Sequence, residues 1–241
     1  MWTRLDLKLR GKAAFGRNYW TSVGVAFVMF LFGGAFLSRG ANSRSDSYEG
    51  FHHMHSMSGA ESMAVALFAL IVTAVAGIIS LIFTILKIFV GNLLLVGGSR
   101  YFILNQTENT SAGVLGYGFQ SGQYVNIVLI MFLRTLFTRL WTLLFVVPGI
   151  IKHYEYLMIP YILAENPGMG RQEAFLISKR MMMGQKWEVF MLDLSFLGWR
   201  LLEAITFGIV GVFYVEPYYQ ATMSELYAYN RSVAYQQGYI R

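Results

Sequence analysis

The sequence predicts an all-α, multi-pass transmembrane helical bundle of five to six spans, led by an N-terminal amphipathic helix at the membrane surface. Three observations carry that expectation. Of 241 residues, 56% are hydrophobic and only 13% are charged, about half of the roughly 25% usual in a soluble domain. Long apolar runs without a charge recur along the chain. Of the 19 Lys and Arg residues, five lie in the first 17 residues and four between Arg171 and Lys186, beside apolar runs where the positive-inside rule places them. The same composition excludes a disordered chain and a disulfide-stapled secreted module. The absence of cysteine also excludes zinc–thiolate sites, iron–sulfur clusters and cysteine nucleophiles. The net charge of +6 does not point to nucleic acid, because no recognisable nucleic-acid module accompanies it.

Residues 1–17 read as a cytoplasmic amphipathic helix. Trp2, Leu5, Leu9, Ala13, Gly16 and Trp20 recur at spacings of three and four and share one face. Thr3 followed by Asp6 forms a variant capping box, and Arg4, Lys8, Arg10, Lys12 and Arg17 flank the stripe, suited to anionic headgroups. Asn18 to Ser38 carries no charge and is bounded by Arg17 and Arg39, so it reads as a first span and a retained signal anchor. Residues 38–62 form a polar loop rich in Ser, Gly and His, expected outside the cell. A second apolar run from Ser62 to Leu86 continues past Lys87 to Val96, predicting either a tilted helix or a break near Gly91.

Tyr101 to Gln123 reads as a cytoplasmic connection because Asn and Gly punctuate it. Tyr124 to Val147 is a third span containing Arg134 and Arg139. Pro148-Gly149 should reverse the chain, and Ile150 to Ala164 returns as a fourth span. Asn166-Pro167-Gly168 closes it, and residues 165–186 form a basic cytoplasmic segment with Arg171, Lys179, Arg180 and Lys186. Trp187 to Val215 is a fifth apolar stretch. Pro217 to Tyr229 is either a short sixth span or a tyrosine-rich interfacial helix. The single integral membrane domain therefore covers 1–241, placed in the cell membrane with its N-terminus in the cytoplasm.

Several segments resemble an uncharacterised family of bacterial integral membrane proteins, mostly Gram-positive, known as domain of unknown function 975. They include Met1-Trp2-Thr3-Arg4, Leu140-Trp141, Pro148-Gly149-Ile150-Ile151-Lys152, Tyr154, Tyr156 and Pro160 through Pro167 with Asn166. Farther on come Lys186-Trp187, Leu192-Asp193-Leu194-Ser195-Phe196, Gly198-Trp199 and Pro217-Tyr218. Gly170 departs from an expected Ser or Thr cap, and Arg200 and Glu203 are more charged than the pattern. The resemblance implies no activity, catalytic residue or cofactor. The chain is also distantly similar to the membrane region attached to some glycerophosphodiester phosphodiesterases, without their catalytic barrel.

The chain contains no phosphate loop, HExxH, Gly-x-Ser-x-Gly or strand-linked GxGxxG motif. Its most informative residues are the intramembrane charges Arg134, Arg139, Lys152, Glu155, Asp193, Arg200, Glu203 and Glu216, since such groups pair or mark a pathway. Asp193, Arg200 and Glu203 fall on one helical stripe, predicting that Arg134 or Arg139 pairs with Asp193 or Glu203 while Arg200 is held by its neighbours. The leading functional expectation is a non-catalytic envelope component acting through membrane lipids or a membrane-protein partner. The alternatives are a small permease lined by these charges and a lipid-modifying enzyme using Glu155, Glu165 and Asp193. His52, His53 and His55, with Met54 and Met57, offer imidazole and thioether donors for copper or zinc. Titration of the purified protein with either metal checks this expectation. Replacing all three histidines with alanine should abolish binding.

Overall fold

A computed structural model describes residues 2–33 and 59–240 of the chain. The described residues form helices and turns only. Helix α1 (Arg4–Arg17) starts where Thr3 accepts the Asp6 amide at 3.2 Å, satisfying one of the unpaired N–H groups of its first turn. Its buried face is Leu7, Gly11, Ala14 and Phe15. The predicted stripe is a different face: Leu5, Leu9 and Trp20 are exposed. α1 thus has two apolar sides, one packed in the bundle and one left outward.

The packed side meets α12 (Glu216–Gln236). A Cβ on Gly11 would lie 2.8 Å from the Thr222 backbone, so only glycine permits this approach. Around α12 gather α2 (Tyr19–Gly33) and α4 (Asn92–Leu104), followed through a short 3-10 turn (Ala112–Gly116) by α5 (Tyr117–Gln120). Ser22 and Tyr101 hydroxyls meet at 3.0 Å inside this core, and Asn105 Nδ2 donates to the Ala14 carbonyl at 2.8 Å. These bonds pair buried polar groups as low dielectric requires, although Asn105 Oδ1 has no hydrogen-bond partner among the described residues.

α3 (Gly59–Leu86) runs without interruption into α4 through a π-helical turn at Lys87–Gly91. The anticipated weak point near Gly91 is therefore one widened turn, a common local accommodation within helices. From Met63 to Leu86 every residue is exposed, although this is the most apolar stretch of the chain. Among the described residues, two helices are long and apolar enough to cross a membrane: Met63–Leu104 and Tyr124–Leu144.

The remaining expected spans are shorter or interrupted. α6 (Tyr124–Leu144) ends at Phe145, whose extended backbone turns the chain into α7 (Val146–Glu155). Pro148 sits in the first turn of α7, where its missing N–H is tolerated. The Ile150–Ala164 segment divides at Tyr156–Met158, giving α7 and the wholly core-packed α8 (Ile159–Glu165). At ten residues α7 is about 15 Å long, half of the roughly 30 Å hydrocarbon core. The Trp187–Val215 stretch divides into α10 (Lys186–Leu194), α11 (Leu197–Ile205) and a π-turn at Gly211–Val215. Its sharp corner is Phe207-Gly208, both at positive φ (51° and 89°).

Two further segments differ from expectation. Tyr101 to Leu104 continue α4 rather than opening a loop, because Tyr101 and Phe102 fill the core. Pro217 to Tyr229 belongs to α12, a central helix with ten buried residues rather than a membrane-surface element. The basic segment contains α9 (Arg171–Met181), which buries Ala174, Ile177, Ser178 and Met181. Met182 is buried too, and Met183 points outward.

The outer surface divides by chemistry. Exposed charged residues gather on α1 and α9, among them Arg4, Lys12, Arg17, Arg171 and Lys179, with Arg139 on α6 and Glu108 after α4 besides. Exposed large apolar residues crowd α3, the α6–α7 corner (Leu143, Leu144, Phe145, Val146, Val147) and the α11 corner (Leu201, Ile205, Phe207, Ile209).

Gly149 sets how closely α7 folds on α6. A Cβ there would lie 2.5 Å from the Thr142 Cα, which cannot move aside as a flexible side chain can. Gly149→Ala should therefore destabilise the protein by about 1–3 kcal/mol, the usual cost of overpacking. Gly16→Ala has open space around it and should stabilise helix α1 by about 0.5–1 kcal/mol. Thermal melts of both variants in the same detergent check the opposite signs.

Candidate functional site

The site is built on the carboxyl end of α7. From the Phe145 reversal, one helical face carries Ile150 and Ile151 outward and brings Lys152 and Glu155 inward. Lys152 Nζ lies 2.6 Å from Glu155 Oε2, and Lys186 Nζ from α10 lies 2.5 Å from Oε1. The Glu155 side chain is only 7% exposed, against 24% and 30% for the lysines. Ser178 Oγ donates to the Glu155 carbonyl at 2.7 Å. Lys152 also stands over the rings of Trp141 and Tyr156, at 5.7 and 5.8 Å from their centroids.

Burial alone would push the Glu155 carboxyl upward, but hydrogen bonds and charge from Lys152 and Lys186 outweigh it and hold the group below its ordinary value. The bond to Glu155 in turn raises the Lys152 ammonium. One carboxylate thus serves two cations and leaves a net positive charge in a partly enclosed setting.

Beside this cluster lies an open cavity of about 1050 Å³ between α6, α7 and α9. Leu133, Phe137, Phe175 and Leu176 give it apolar walls, while Lys152, Glu155, Arg171, Glu173 and Lys179 give it a charged end. Gly170, the residue expected to be Ser or Thr, is the N-cap of α9 and supplies no side-chain cap. That uncapped end also borders the cavity.

The other predicted charges fall into separate groups. Asp193 accepts hydrogen bonds from Tyr154 Oη at 2.8 Å and Tyr219 Oη at 3.0 Å. Arg200 stands 3.7 Å from both Glu203 and Glu216, and over the Tyr219 ring. Arg134 Nε donates to the Tyr156 carbonyl at 2.9 Å, and Arg139 is exposed. The expected pairing of Arg134 or Arg139 with Asp193 is therefore replaced. Two phenols reach Asp193 first, and a carbonyl at the end of α7 takes the guanidinium. Glu203 is instead met by Arg200 and packs on Gly211.

Glu165 binds Tyr227 Oη at 2.6 Å and pairs with Arg231. Glu155, Glu165 and Asp193 consequently have three distinct partner sets. Among the described residues no three His, Cys, Asp or Glu side chains converge as a metal site would require. His52, His53 and His55 lie outside the described residues.

Of the residues carrying the resemblance, Pro148 and Gly149 form the α6–α7 corner and Lys152 and Tyr156 line the cavity. Pro160 is buried at the start of α8, and Asn166 ends it. Asn126 Nδ2 donates to the Pro167 and Met169 carbonyls, at 2.8 and 2.9 Å, fixing the turn toward α9. The Gln185–Asn230 bond at 2.8 Å had no sequence signal, because it joins residues on different helices without a local spacing pattern.

Residues 143–234 match the family described as "Protein of unknown function (DUF975)". This supports an uncharacterised family over that segment. No curated protein and no solved structure matches the chain. The matched segment supplies the Glu155, Asp193 and Glu165 clusters and the Arg200–Glu203–Glu216 group, whereas Arg134 and helices α1 to α5 lie before it.

The lowered Glu155 carboxyl gives a signed pH dependence. Its stabilisation is complete above the unfolded carboxyl value of about 4.3 and is lost as pH falls through the lower folded value. Glu155→Gln should cost about 1–3 kcal/mol near neutrality, less than a fully buried pair because both lysines keep some solvent. Melts from neutral to acid pH check this: the wild-type Tm should fall below about pH 4.3 more steeply than the variant's.

Proposed function

We propose that this protein is a multi-pass integral membrane component of the cell envelope that performs no chemistry itself and acts through membrane lipids. The observation that carries the reading is the exposed apolar surface of α3 and of the α6–α7 and α11 corners. Soluble monomers rarely expose apolar patches beyond a few hundred Å², and the α3 surface alone is a helix apolar on every side. Such a helix belongs in a protein core or a bilayer, and among the described residues no other element encloses it.

In this reading the first apolar run, residues 18–38, and α3 cross the membrane, whereas α6 enters from the cytoplasmic side and turns back at the α6–α7 corner, which dips into the hydrocarbon with the α11 corner. The outward stripe of α1, with Leu5, Leu9 and Trp20, rests at the interface. The basic surfaces of α1 and α9 face the cytoplasm, as the positive-inside rule places them. Holding, rather than catalysis, follows from the carboxylate partners: Glu155, Glu165 and Asp193 are each engaged by cations or phenols of the bundle. A permease would use the Arg200–Glu203–Glu216 group as a path, but that group too is occupied with pairing across α11 and α12.

The cysteine-free chain makes the topology directly testable. A membrane-impermeant maleimide added to intact cells should label Ser47→Cys and leave Lys12→Cys and Met183→Cys unlabelled until the cells are opened. The protein should also stay in the pellet on alkaline carbonate extraction. Labelling of Lys12→Cys in intact cells overturns the orientation, and release by carbonate overturns the membrane reading.

A further inference from the structure

We propose that the cavity between α6, α7 and α9 holds one anionic phospholipid, its phosphate at the charged end and an acyl chain along the apolar walls. The inference rests on the membrane reading and adds a specific occupant. Lys152, Arg171 and Lys179 line the charged end against Glu155 and Glu173, a balance of +1. Lys186, sharing Glu155 from behind, raises it to +2. An anion complements this end, and a zwitterionic headgroup brings no net charge to match it.

The opposite walls select against a bare ion. Leu133, Phe137, Phe175 and Leu176 would stay wetted beside an inorganic phosphate, whereas a chain covers them at roughly 25 cal/mol per Å² of apolar area. A volume of about 1050 Å³ is at the upper end of small-molecule sites, enough for a headgroup with the first part of a chain. Depth agrees as well. Lys152 follows the Phe145 reversal by seven residues, roughly 10 Å of helix. With the corner in the hydrocarbon, its ammonium reaches headgroup level, flanked by Trp141 and Tyr156 in the manner of interfacial aromatic residues.

The test uses the full-length protein, delipidated in detergent and offered phosphatidylglycerol or phosphatidylcholine with identical chains, with retention read by native mass spectrometry. The wild type should retain phosphatidylglycerol about tenfold or more over phosphatidylcholine, and R171Q/K179Q should lose roughly tenfold of that preference, two surface cations' share. Both substituted residues are exposed, so an unchanged Tm verifies the fold. Phe137→Ala should weaken retention of both lipids while keeping the preference. Equal retention of the two lipids, an unchanged preference in R171Q/K179Q, or displacement of bound lipid by inorganic phosphate alone overturns the proposal. Carbonate extraction and maleimide labelling decide the membrane reading separately, so failure of one is distinguishable from failure of the other.

Discussion

Three consecutive residues at the end of α7 hold four other helices in place. Tyr154 donates to Asp193 of α10, Glu155 takes Lys186 of α10, the Glu155 carbonyl takes Ser178 of α9, and the Tyr156 carbonyl takes Arg134 of α6. Tyr219 of α12 closes the group on Asp193. Helix ends leave carbonyls without an intrahelical partner, and here those carbonyls become the sockets for a serine and an arginine. Shortening α7 to ten residues is what exposes them. A single helix running through to Ala164 would have consumed these acceptors internally and left Arg134 to find another.

The same arrangement explains how an apolar chain keeps charges inside. Isolated charges in a low-dielectric setting cost several kcal/mol each, and three of the carboxylates are each met by two donors. Glu155 has two ammonium groups, Asp193 two phenols, and Glu165 a phenol and a guanidinium. The aromatic residues thus do double duty. Tyr219 and Tyr227 read from sequence as part of a short span or an interfacial helix, yet their hydroxyls, with that of Tyr154, are hydrogen-bond donors of the interior.

Local signals were legible in the sequence, and long-range ones were not. Thr3 as the α1 cap, the reversal before Pro148-Gly149 and the stop at Asn166 are written in neighbouring residues, and each has its counterpart in the fold. The lengths of apolar stretches misled where a helix breaks without proline: at Tyr156–Met158 and at Phe207-Gly208 the run of hydrophobic residues continues while the backbone turns. Partner choice was the least accessible. Seven-residue spacing placed Asp193 and Arg200 on one stripe, but a tyrosine on another helix, invisible to periodicity, decided which group Asp193 would bind. Cavity-lining Lys152 and Tyr156 stood out, whereas Arg171 and Lys179 read only as topogenic charge.

The unbroken passage from α3 into α4 has a mechanical consequence. The stretch from Met63 to Leu86 stands outside the bundle for roughly 36 Å of helix at 1.5 Å per residue, and its continuation is clamped among α2, α8 and α12. Such a rod works as a lever with its fulcrum at the π-turn, where a Cβ on Gly91 would lie 2.7 Å from the Phe32 carbonyl oxygen. Any thickening or thinning of the surroundings that tilts the free arm must turn the clamped arm about that contact, carrying Leu93 and Val96 against the cluster that seats Ile127 and Met131 of α6. Lateral strain on one long helix is thereby delivered to the helix that forms a wall of the cavity.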